Sequence, residues 1–159
     1  MLVTIYCDAS FKEGVGAGAA WIKSERGTLK IRSSFSSEDP THAETQIAYL
    51  AMKHALETWD NVTVLFINTD SLHLCQYMWD FHRLEPKSEH LKKGVKYIQD
   101  ICDYYQVEHR FKHVKGHQNP NKGVRAWLNN WCDEQAKKTR TLKQIEDDKR
   151  ATRKQSQTA

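Results

Sequence analysis

Apolar and polar residues alternate at the start of the chain. In LVTIYCDAS, residues 2–10, Val3, Ile5 and Cys7 fall on one side and Thr4, Tyr6 and Asp8 on the other. A period of two predicts a strand. AGAAWIKS and TLKIRSSFS read as two further strands, after the Gly-rich turn FKEGVGAG and a second turn at Gly27. Such short links make the three a meander. From Pro40 the period changes: Ala43, Ile47, Leu50, Ala51 and Ala55 recur at helical spacing to about Trp59. Residues 62–69, VTVLFINT, form one apolar, β-branched run, the pattern of a strand buried on both faces. SLHLCQYMWDF reads as a helix, EPKSE breaks the chain, and Ser88 can cap a helix over HLKKGVKYIQDICDYY. VEHRFKHVK is a last strand and GHQNPNKG a polar loop. A final helix begins near Val124, with Trp127, Leu128, Trp131 and Ala136 on its apolar side.

The predicted order is βββαβααβα. Strands come first, then crossovers of helix length, so the fold class is α/β. The expected architecture is a mixed five-stranded sheet, three strands antiparallel and then parallel ones, with helices on both faces. A chain of 159 residues fits one domain, here 1–138, followed by a helical or disordered basic tail, 139–159.

Charge sharpens the picture of that tail. From Lys137 to Ala159 there are eight Lys/Arg and three Asp/Glu, against a net charge of +4 for the whole chain, so the rest is close to neutral. A basic end on a neutral body suits a polyanion, nucleic acid first, or is simply a solvated end. The N-terminus MLVTIYCDAS lacks the basic region and cleavage site of a signal peptide, and no apolar run reaches the length of a membrane span. A cytoplasmic protein with no membrane partner is expected. Cys7, Cys75, Cys102 and Cys132 form no C-x-x-C pair and read as reduced core residues. His109, His113 and His117 are evenly spaced but have no cysteine nearby to complete a zinc site.

Candidate chemistry rests on four carboxylates. Asp8 lies on the first strand and Asp70 ends the fourth. Glu44 lies in the first turn of the first long helix, and Asp133 one turn after Asn129 in the last. Each has a plain alternative. Thr41 to Glu44 matches a capping box, Asp70 can cap the helix at Ser71, and Asp8 and Asp133 can face water. Together they match what hard cations want: oxygen ligands from several rigid elements. Two Mg²⁺ ions about 4 Å apart can clamp the attacking and leaving oxygens of a phosphoryl displacement.

At these positions the chain resembles the type I ribonucleases H. YCDASF with GVGAGAAWI resembles the family's first strand and hairpin, and THAETQIAYLAMKHAL its helix with an acidic ligand. NTDS is similar to its Thr-Asp-Ser. HVKGHQN and NNWCDEQAKK resemble its Val-Lys-Gly-His loop and last acidic helix. The resemblance covers roughly residues 1–138 in order. It implies an endoribonuclease that hydrolyses the RNA strand of an RNA–DNA hybrid, leaving 5′-phosphate and 3′-hydroxyl ends. It implies two Mg²⁺ ions, with Mn²⁺ as a substitute. Asp8 would bridge them, Glu44 and Asp70 would complete the ion near the leaving group, and Asp133 would hold the ion at the attacking water. His117 would assist proton transfer or product release. Substrate contacts are implied at Gly14, Gly16, Ser71, Lys115 and Asn129, in a protein acting as a monomer.

Three features depart from the family pattern. Asp39-Pro40-Thr41-His42 and Leu72 stand where the family carries an Asn and a Gln that contact the hybrid. FKEGVGAG lacks Asn-Pro-Gly and fits a plain hairpin turn as well as a phosphate approach. The segment DFHRLEPKSEHLKK is short and mixed in charge where many members carry a basic protrusion. Two further readings stay open: a nuclease of the same fold acting on DNA, and a non-catalytic nucleic-acid-binding module or interaction domain. With no protrusion, hybrid affinity falls to the tail and to Lys92, Lys93, Lys112 and Lys115. Deleting residues 140–159 is expected to weaken hybrid binding and flatten its salt dependence in a titration between low and physiological salt.

Overall fold

The computed structural model describes residues 1–80, 86–116 and 119–158. Three strands run in sequence, β1 (Leu2–Lys12), β2 (Val15–Ser24) and β3 (Gly27–Ser36). Lys12 pairs with Val15, so the β1–β2 link is the two-residue loop Glu13-Gly14, and both residues have positive φ, 52° and 78°. That geometry matches the right-handed twist of an antiparallel pair and explains the glycine at 14. Beyond β3 the chain forms α1 (Pro40–Thr58), β4 (Val64–Thr69), α2 (Leu72–Trp79), α3 (Glu89–Tyr105), β5 (Glu108–His113) and α4 (Val124–Thr158), with a 3₁₀ turn at Pro120–Lys122. The sheet order is β3-β2-β1-β4-β5. β1, β2 and β3 pair antiparallel; β4 joins β1 and β5 joins β4 in parallel. The mixed five-stranded sheet expected from the pattern is the one observed.

The caps differ from the expectation. Asp39, not Thr41, caps α1, its Oδ1 accepting from the His42 N–H at 2.8 Å, with Pro40 opening the first turn. The Thr41–Glu44 capping box therefore does not form, and Glu44 is left free to point inward. Ser71 caps α2, its Oγ accepting from the Leu74 N–H at 3.3 Å, which relieves Asp70 of that role. Ser88 stands before α3 without a side-chain cap bond.

Two cores pack on the sheet. On one face Val3, Ile5 and Cys7 meet Ile47, Ala48, Ala51, Met52 and Ala55 of α1 and Val95, Ile98 and Cys102 of α3. The small residues of α1 let the helix lie close. On the other face Tyr6 packs with Leu128 and Cys132 of α4, flanked by Trp21 and Trp131, whose rings meet edge to face at 5.2 Å. All four cysteines are free and buried, as read from their context. The last helix is one unbroken element of 35 residues, so the basic tail is helical. Its early part is tied to the body: Gln144 Nε2 donates to the Lys12 carbonyl at 3.3 Å. Among the described residues, no helix is long and apolar enough to cross a membrane.

Gly18 shows how tightly α1 is seated. A Cβ there would lie 2.4 Å from Ile47 Cβ and Cγ1. Gly18→Ala is expected to destabilise the fold by about 1–3 kcal/mol through overpacking, read as a lower urea midpoint at unchanged slope.

Candidate active site

Strand register brings the first two carboxylates together. The last β1–β4 pair is Tyr6 with Asn68. Asp8 stands two residues further along β1, and Asp70 follows directly on the end of β4, so the pairing carries both to the same end of the sheet. Glu44 comes up from α1 beneath them. One ligand oxygen from each of Asp8, Glu44 and Asp70 lies within 4.8 Å of the others. Glu44 is only 7 % exposed, and its position is fixed by two donors: the Ala9 N–H to Oε1 at 3.0 Å and the Thr69 hydroxyl to Oε2 at 3.4 Å. The Ala9 N–H also reaches Asp8 Oδ1 at 2.9 Å, so one amide bridges the two acids. Asp133 closes the opposite wall from α4.

Asp8, Asp70 and Asp133 line a cleft with Cys7, Val114, Gly116, Asn129 and Asn130, and Glu44 lies buried behind Asp8 and Asp70. Gly116 packs directly on Asp70: a Cβ there would lie 2.9 Å from Oδ2. Asp70 is further anchored through its backbone carbonyl, 3.1 Å from His113 Nε2. Asp133 holds an ion pair with Lys137 at 2.8 Å. Among the described residues, no basic side chain pairs with Asp8, Glu44 or Asp70.

Gathering acids without a counter-charge resists their ionisation. Burial, then the charge of Asp70, pushes Asp8 up to about 8, against the opposing pull of its bond with Glu44 and of the Ala9 N–H. Burial, then Asp8 and Asp70, drives Glu44 well above the usual carboxylate range. Cys7 is also pushed well up, by burial and then by Glu44, so it stays a neutral thiol rather than a thiolate ligand. A closely spaced set of carboxyl oxygens, Glu44 buried and Asp70 half-buried, suits a hard divalent cation, which would supply the missing positive charge.

The expected site residues sort as follows. Asp8, Glu44 and Asp70 form the tight group, while Asp133 and Asn129 line the same cleft. Lys115 is exposed in the loop beside Gly116. Ser71 is engaged as a helix cap. Gly14 occupies the β1–β2 turn, and Gly16 packs against Phe35 and Ser37, where a Cβ would collide; neither lines the cleft. His117 lies outside the described residues. The sequence reading missed Asn130 and the bracing role of Thr69. Asn130 was detectable at i−3 from Asp133 on the same helix flank.

The family model for RNase H matches residues 2–141. Among solved structures, the chain is similar to RNase H1 from the halophilic archaeon Halobacterium salinarum, at 12 % identity and TM-score 0.68, covering 87 % of this chain and 97 % of that one. It is similar to LC11-RNase H1 in complex with an RNA/DNA hybrid, at 15 % identity and TM-score 0.65, covering 86 % and 97 %. The PFV RNase H domain matches at 14 % identity and TM-score 0.63, covering 89 % and 94 %. No curated protein sequence matches the chain. At these identities the structures establish the shared fold.

The raised acids make stability depend on pH in a defined direction. Asp8 rises from 3.8 to about 8 on folding, so below pH 4 both states hold its proton and the shift costs nothing. Between pH 4 and 8 the unfolded chain loses the proton first, and the fold loses stability relative to it. Thermal unfolding of metal-free protein is expected to show this contribution falling from pH 4 to 8 and levelling above. Mg²⁺ should restore stability most at the alkaline end, where the site is ionised.

Proposed function

The chain belongs to the RNase H family, and on that premise we propose that it is an endonuclease that hydrolyses the RNA strand of RNA–DNA hybrids. The observation that carries this reading is the group Asp8, Glu44 and Asp70, gathered within 4.8 Å with no basic partner among the described residues, with Asp8 and Asp70 sharing one cleft with Asp133. Asp8, Glu44, Asp70 and Asp133 would hold two Mg²⁺ ions, or Mn²⁺ in their place. Divalent ions held by these residues would supply a nucleophilic water at neutral pH and would neutralise charge on the scissile phosphate.

The protein's own groups prepare that site. Glu44 is held by the Ala9 amide and the Thr69 hydroxyl, so its oxygens are oriented before any cation arrives. Asp8 sits on β1 and Asp70 directly follows its paired strand β4, which holds the two close together. Lys137 pairs with Asp133 one turn away on α4. Gly116 brings backbone rather than a side chain against Asp70, leaving its face open to a substrate phosphate. His117, next in sequence, is proposed to assist proton transfer or product release. Asn129 and Asn130 offer amides to the sugar–phosphate backbone. RNA would be told from DNA by its 2′-hydroxyls. All four acids come from one chain, so a single copy suffices. Cleavage would leave 5′-phosphate and 3′-hydroxyl ends.

The test is cleavage of a labelled hybrid beside duplex RNA, duplex DNA and single strands, each with Mg²⁺, Mn²⁺ or chelator. Cutting of only the hybrid's RNA strand, dependent on metal, is expected. Asp70→Asn should reduce it by about a thousandfold, the rate equivalent of roughly 4 kcal/mol of lost charge stabilisation. Cutting of duplex DNA would support the DNA-acting reading. Hybrid binding without cutting would support a non-catalytic module.

A further inference from the structure

Arg140 reaches from α4 across to β1. It lies two helical turns after Asp133, about 10.5 Å along the axis. Its Nη1 donates to Ser10 Oγ at 2.8 Å. Ser10 is 8 % exposed and stands two residues beyond Asp8, on the same side of β1. Lys137, Lys143 and Arg150 each pair with a carboxylate one turn away: Asp133, Asp147 and Glu146. Among the described residues no carboxylate pairs with Arg140, and its buried Nε has no hydrogen-bond partner.

A guanidinium is always charged and carries five donors. Half-buried, with one neutral hydroxyl as partner, it is under-satisfied by the protein alone. What it lacks is an anion with several acceptor oxygens. A phosphodiester has that chemistry, and a bidentate guanidinium–phosphate contact is among the stronger charge-assisted pairs. Position supports the same ligand. Ser10 lies about 6.6 Å along the strand from Asp8, so a polyanion filling the acidic cleft passes the Arg140–Ser10 pair.

We propose that Arg140 and Ser10 seat one backbone phosphate of the nucleic-acid strand bound in the cleft, beside but outside the metal ligands. The inference rests on the nuclease reading and gives its substrate an anchor where a basic protrusion is lacking. The competing role is a strap that merely fastens α4 to β1. A strap would act on stability and on the placement of Asp133, whereas a phosphate seat acts on affinity and its salt dependence.

The experiment compares full-length wild type, R140Q and R140K. It measures steady-state cleavage of an RNA–DNA hybrid and, in chelator, hybrid binding by fluorescence anisotropy from low to physiological salt. For R140Q the expected result is about tenfold weaker binding and higher KM, with kcat within about twofold. The slope of log Kd against log salt should fall by about 0.9, one phosphate contact. R140K keeps the charge but loses the fork, so its slope should match wild type while its affinity falls several-fold. If R140Q does not fold, R140K decides: wild-type affinity would overturn the seat. In folded R140Q, an unchanged slope and Kd would overturn it, as would a loss confined to kcat and to Mg²⁺-induced stabilisation. Failure of the nuclease reading would appear separately, as wild type that binds the hybrid without cutting it.

Discussion

The crowding of three carboxyl groups, Glu44 buried among them, is the constraint around which this fold is organised. Asp8 and Asp70 are held close, because parallel pairing of β1 with β4 carries both to one end of the sheet. Glu44 cannot swing to water, because α1 lies flat on the sheet and two donors hold the carboxylate beneath them. The energy stored by that crowding is supplied by the core on the α1 face. Ile5, Ile22, Ile47, Met52, Leu65 and Ile67 there are fully buried. Without that packing, three acids at this spacing would separate.

The two faces of the sheet contribute differently. α1 and α3 build the larger core and carry the buried acid. α4 covers the other face through Tyr6, Leu128 and Cys132 and brings Asp133 to the rim. Burial follows that division: Glu44 is enclosed, whereas Asp133 is reached by a lysine on its own helix. The inner group supplies rigidity and the outer acid supplies access.

Much of this was legible in the residues. The alternation through Val3, Ile5 and Cys7 and the helical spacing from Ala43 to Ala55 reported β1 and α1, because each element buries one face on a common core. The continuous apolar run before Asp70 reported a central strand. The four acids were recognisable by their places on those elements together with the family resemblance. Helix starts were harder to assign. Asp39, Thr41 and Ser71 are all competent caps, and which one bonds depends on where the chain enters the helix rather than on residue type. Gly16 and Gly18 looked like turn or phosphate-approach residues, but their missing side chains make room for Phe35, Ser37 and Ile47. Such packing involves residues distant in sequence and leaves no local signal. The same holds for Arg140 and Ser10, 130 positions apart.

The length of α4 has a mechanical consequence. Beyond Gln144 the helix continues through fourteen residues to Thr158, about 21 Å of rod. Among the described residues, the hydrogen bonds of that stretch stay within the helix. It is a cantilever clamped at its root by the contacts to Ser10 and Lys12. Sideways load near the tip acts on that root with the rod's full leverage. Seven residues before Arg140, the same stiff helix carries Asp133, so torque at the far end reaches the wall of the acidic cleft without passing through the sheet.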